Sequence, residues 1–121
     1  MKLEEAVELL EELMDRYGLL DAGWTYGFEK VTRQKRNHEL FGICCHDQKV
    51  ILISAAYVAR AHSSEVKETV LHEIAHALVG PDHDHDGVWS ACARRIGSEG
   101  TRIRERRTQS DVIHLGYEEK K

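Results

Sequence analysis

The run Leu71-His72-Glu73-Ile74-Ala75-His76-Ala77 constrains this chain more than any other stretch. On an α-helix, residues four apart stand one above the other, so His72 and His76 project from a single face. Two imidazoles held that way bind one divalent cation, and zinc is the usual occupant. Glu73 flanks the same face, where its carboxylate can take a proton from metal-activated water. At about 100° per residue, Val66, Val70, Ile74, Ala77 and Leu78 fall on the opposite side, with Leu71 at its edge. Glu65, Glu68, Thr69, His72 and His76 fall on the ligand side. The spacing predicts a helix that begins near Glu65, is capped by Ser63 or Ser64, and stops at Gly80-Pro81. Without a third ligand, the same pattern would describe a surface helix with incidental histidines.

A chain of 121 residues with 41% hydrophobic and 31% charged residues has the size and balance of one globular domain, 1–121. A net charge of -4 gives no general reason to bind nucleic acid. Met1-Lys2-Leu3-Glu4-Glu5 lacks an apolar targeting core, and no apolar run reaches the length of a membrane span, so neither leader nor membrane segment is expected. Three cysteines, two of them adjacent, make no disulfide framework, and the expected compartment is the cytoplasm.

Ahead of the central helix, Leu3, Ala6, Val7, Leu10, Leu13, Met14 and Tyr17 recur at helical spacing, with Glu4, Glu5, Glu8, Glu11 and Glu12 on the other side. Gly18 marks the end of this first helix. Trp24, Tyr26 and Phe28 alternate with Thr25, Gly27 and Glu29, which predicts a strand with an aromatic core face. Lys30 to Glu39 is polar and basic and reads as a strand edge or a connecting loop. Leu40 to His46 reads as a second strand, followed by a turn at Asp47-Gln48-Lys49. Val50 to Ser54 reads as a third strand, apolar throughout and hence central. Cys44 and Cys45 would face opposite sides of the sheet as inert buried thiols. Ala55 to Ala61 predicts a short helix.

Zinc needs a third protein ligand. The loop Pro81-Asp82-His83-Asp84-His85-Asp86-Gly87 offers both His83 and His85, and spacing alone does not separate them. Glu99 or Glu105 from a later helix is a weaker candidate. The loop also spells Asp82-x-Asp84-x-Asp86-Gly87, the opening of an EF-hand calcium loop, but the twelfth position of that pattern is Ala93 where glutamate is required. Val88 to Ile96 reads as a short helix ending at Gly97, with Val88, Trp89, Cys92 and Ile96 on its apolar side.

From Trp24 to about Gly97 the chain resembles the SprT-like (Spartan-type) zinc metallopeptidases. The resemblance lies in Trp24-x-Tyr26-x-Phe28, Gly42-Ile43-Cys44, Ile51-Leu52-Ile53-Ser54 and Leu71-His72-Glu73-Ile74-Ala75-His76-Ala77. The family's last ligand precedes a helix in a His-Gly-x-x-Phe/Trp pattern, which here is His85-Asp86-Gly87-Val88-Trp89, with Asp86 at the usual glycine. The resemblance therefore implies His72, His76 and His85 as metal ligands and selects His85 over His83. It also implies an α+β, zincin-like fold: an N-terminal helix, a small sheet of about three strands, the active-site helix, a ligand loop and a short helix.

The activity it implies is zinc-dependent hydrolysis of peptide bonds in protein or peptide substrates, with Glu73 as general base. The metzincin pattern fits less well, because Val79 and Asp82 stand where it needs glycine and histidine. The alternative from another class is a metal-stabilised binding or adaptor domain with structural zinc. Arg102, Arg104, Arg106 and Arg107, with Arg94 and Arg95 just before them, make a local basic excess in a C-terminal extension, 98–121. The family's Spartan branch acts on DNA-crosslinked proteins, so this stretch is the candidate DNA contact, although no aromatic platform is interleaved in it. A solvated surface paired with the acidic first helix is the simpler reading of it. Asp111 to Tyr117 could add a strand.

Overall fold

The amphipathic repeat at the N-terminus forms α1 (Leu3–Arg16), which buries Ala6, Leu10, Leu13 and Met14 and turns out at Gly18, whose φ is 81°. The structure is a computed structural model and describes residues 1–30, 34–35 and 38–99. Glu105, Arg102, Arg104, Arg106 and Arg107, and the strand expected over 111–117, lie outside the described residues.

Three strands make the sheet: β1 (Thr25–Glu29), β4 (Gly42–Cys45) and β5 (Val50–Ser54). Their order is β1-β5-β4, with β1 parallel and β4 antiparallel to β5, so the wholly apolar strand is the central one. The polar segment between β1 and β4 holds a separate two-residue pairing, β2 (Gln34–Lys35) with β3 (His38–Glu39).

All five residues of β5 are buried, because both faces of this strand are covered. Ile51 and Ile53 join Cys44 in the main core with the helices, while Val50 and Leu52 pack with Leu40, Ile43 and Cys45 on the other face. The adjacent cysteines thus divide between two apolar layers, as the period of a strand requires. The aromatic face of β1 is less enclosed than expected. Trp24, just ahead of the strand, is buried, but Tyr26 and Phe28 are only half-buried against the core. β1 stands at the sheet's edge with a neighbour on one side, which leaves its side chains partly open.

Ser54 ends β5 and caps α2 (Ala55–Arg60), its hydroxyl accepting from the Tyr57 N–H. α3 (Ser63–Val79) follows and starts two residues earlier than its serines suggest. Its cap is His62, whose N–H donates to the Glu65 carboxylate at 2.9 Å, so the reach-back glutamate and not a serine hydroxyl fixes the helix start. Gly80, at φ 91°, ends it. α4 (Gly87–Arg95) closes the described fold.

α3 also departs from a simple inside-and-outside pattern. Val66, Val70 and Ile74 enter the core as expected, yet Thr69, His72, Glu73 and His76 are buried too, and Leu78 near the C-terminal end is exposed. The polar face is covered because α3 packs against β4 and α4 as well as α1. Among the described residues, no helix is long and apolar enough to cross a membrane.

Candidate metal centre

His72 and His76 stand on adjacent turns of α3 with their rings 5.1 Å apart, and His85 from the following loop meets both. His85 Nε2 lies 3.0 Å from His72 Nε2 and 3.1 Å from His76 Nε2. Zinc–nitrogen bonds of about 2.0–2.1 Å at tetrahedral angles would hold ligand nitrogens roughly 3.4 Å apart. The observed triangle is near that size. Protons alone do not account for it. A hydrogen bond between two imidazole nitrogens uses one proton, and His85 Nε2 carries at most one, which cannot point at both neighbours. A cation accepts all three lone pairs at once. The donor set therefore fits a metal ion, and His72, His76 and His85 are the residues that could hold it.

The loop brings His85 in by a sharp turn. Gly80 and Pro81 stop α3, and His85 itself takes φ 58°, in the left-handed region that side chains seldom adopt. Two aspartates steady it. Asp84 Oδ1 lies 3.3 Å from His85 Nδ1, and a proton held between them leaves the Nε2 lone pair directed at the other imidazoles. Asp86 caps α4, its Oδ1 accepting from the Trp89 N–H at 3.0 Å. That N–H, followed by the hydrogen bond to His83, holds the Asp86 carboxyl below its ordinary range.

Trp89 is the residue whose role the sequence did not disclose. It is buried, and its ring packs against all three imidazoles, with centroids 4.7 Å from His72, 5.3 Å from His76 and 4.7 Å from His85. Its indole N–H points at the His72 carbonyl, 3.4 Å away. The aromatic was legible as part of an apolar helix face. That this face serves as the floor of the histidine cluster follows only from how α4 folds back on α3.

Glu73 is fully buried one position along from His72, with its side chain against Gly42 of β4. The other sequence candidates lie apart. His83 turns away to pair with Asp86 at 2.8 Å, and the Glu99 N–H donates to Glu68. His46 touches the Trp24 ring and the Cys44 thiol. Of the three loop aspartates, Asp84 and Asp86 are engaged with His85 and the α4 cap, which leaves no calcium-loop arrangement among the described residues.

The SprT-like family model matches residues 10–113, reaching beyond 24–97 on both sides to include the second half of α1. No curated protein and no solved structure matches at a significant level.

Proposed function

The chain belongs to the SprT-like family, and from that premise we propose that it is a zinc-dependent endopeptidase acting on protein or peptide substrates. The observation that carries the reading is the convergence of three imidazole nitrogens, with the buried Glu73 next in the chain to His72. All-nitrogen imidazole ligation suits zinc, and zinc bound there would polarise a peptide carbonyl and lower the pKa of water. His72, His76 and His85 would hold the ion through Nε2, which makes Nδ1 of each ring the site for its proton. Glu73 would accept the proton of the attacking water on its carboxylate and return it to the departing amine. Trp89 would keep the rings fixed and exclude water beneath them. Residues in these roles would make the zincin arrangement that the HExxH spacing calls for.

A metal-stabilised adaptor is the competing reading. Structural zinc is closed by four protein ligands. Among the described residues the cluster offers three, and zinc held by three protein ligands would keep a position for water, which favours an enzyme. The reading carries with it a reducing compartment, the cytoplasm, where the buried thiols of Cys44, Cys45 and Cys92 would stay reduced. Arg94 and Arg95 are exposed on α4 and lead into the arginine-rich stretch, so DNA-associated proteins are the substrate class to try first.

The test measures zinc content and cleavage of an unfolded protein, with and without single-stranded DNA, for wild type and Glu73→Gln. The expected result is full zinc in both proteins and a loss of roughly 100-fold or more in cleavage by the variant. Full activity in a zinc-loaded Glu73→Gln protein would remove Glu73 from the reaction. Zinc without any cleavage by wild type would favour the adaptor.

A further inference from the structure

Gly42 is a strand glycine with no conformational reason to be one. It is not among the residues of positive φ, it pairs in regular register with Ile53, and it is buried. Glycine inside a strand weakens it and marks a site where something approaches closely. Here the approaching group is Glu73. A Cβ on Gly42 would lie 2.9 Å from Glu73 Oε2, 3.0 Å from Glu73 Cγ and 3.1 Å from Thr69 Cγ2.

These contacts are too close for carbon, and they are not easily relieved. Glu73 is wholly enclosed, so its carboxylate cannot swing out into water, and the Cγ contact involves the stem of the side chain as well as its tip. Thr69, one turn earlier on α3, shares the recess. Its hydroxyl pairs with the Tyr57 hydroxyl at 2.9 Å, while its methyl lies against Gly42. No histidine atom is among the three nearest, so the recess belongs to the glutamate and not to the imidazoles.

We propose that Gly42 is the positioning residue for Glu73: its bare Cα forms the recess that receives the Glu73 side chain and fixes where its carboxylate stands. The catalytic meaning of this contact rests on the peptidase reading, but the contact itself does not. Any side chain at position 42 drives the carboxylate out of line and leaves the three imidazoles where they are. An alanine there is expected to act like a displacement of the general base, with a cost in the chemical step and not in substrate binding.

The experiment compares Gly42→Ala, Glu73→Ala, Gly42→Ala/Glu73→Ala and Gly42→Ala/Thr69→Ser with wild type. Zinc content, thermal midpoint, kcat and KM are measured for each. Gly42→Ala is expected to keep its zinc, to lose about 10- to 100-fold in kcat with KM within about twofold, and to melt about 5 °C or more below wild type. In the Glu73→Ala background the same glycine change should leave the midpoint unchanged or raise it, since the colliding side chain is gone. Thr69→Ser removes the second contact, and it should not restore kcat.

An equal drop in midpoint in both backgrounds would overturn the proposal. So would wild-type kcat in Gly42→Ala, or recovery of kcat through Thr69→Ser. If Gly42→Ala does not fold, folding of the Gly42→Ala/Glu73→Ala protein supports the proposal and its failure to fold overturns it. A wild type without cleavage would end the peptidase reading, and the midpoint cycle would still decide whether Gly42 accommodates Glu73.

Discussion

His83 and His85 stand two residues apart in one aspartate-rich loop and have different partners, Asp86 for the first and the α3 histidines for the second. Substituting each in turn should separate them. His85→Ala is expected to weaken zinc binding about 100-fold or more, whereas His83→Ala should stay within about threefold, as measured by competition with a chromogenic chelator. Asp84→Asn, which weakens the partner of His85 Nδ1, should fall between the two, at about tenfold. Equal effects of the two histidine changes would remove His85 from the ligand set. At this scale the sequence was informative where chemistry is periodic. That His72 and His76 meet follows from helical spacing alone. The choice of His85 does not, because either loop histidine can reach the α3 pair in a chain of that length. His85, at a left-handed backbone position that no spacing rule encodes, is the one that meets the α3 pair, and only the family resemblance pointed to it.

Among the elements, α4 has a single polar group fixing its start. Asp86→Ala should remove the cap on the Trp89 N–H and lower the thermal midpoint, a loss that Asp86→Asn should largely avoid. Thermal unfolding of the two variants checks this, and zinc affinity should decline with the cap, because α4 carries the indole that floors the cluster. A low midpoint for Asn equal to that for Ala would mean that charge, not capping, sets the cost. The elements themselves were readable in the sequence: an apolar run gave the central β5, and a three-and-four repeat gave α1. The burial of the polar face of α3 was not. Periodicity reports one apolar side of a helix. That β4 and α4 would cover the other side depends on contacts between segments far apart in the chain. The same holds for Gly42, whose meaning appears only with Glu73 beside it.

Across the whole molecule, Tyr26 and Glu11 join the edge strand to the first helix, the hydroxyl donating to the carboxylate at 2.6 Å. Burial first, and then this hydrogen bond, pushes the tyrosine up to about 12 from its ordinary 10.0. The neutral hydroxyl is therefore favoured by folding. Its contribution is complete below pH 10 and is lost as the pH rises from 10 toward 12. The difference in denaturant midpoint between wild type and Tyr26→Phe should shrink over that interval, and a constant difference would show that the pair contributes nothing through ionisation.

The connection from Val79 to Gly87 swings one imidazole back onto two that ride on a stiff helix. A cation among them would work as a clasp across a short ring of chain, so that its departure and the loosening of the ring are one event. Amide exchange through 80–87 should slow on zinc loading while α1 and β5 hold their rates, which makes the backbone of this loop a gauge of occupancy that needs no substrate.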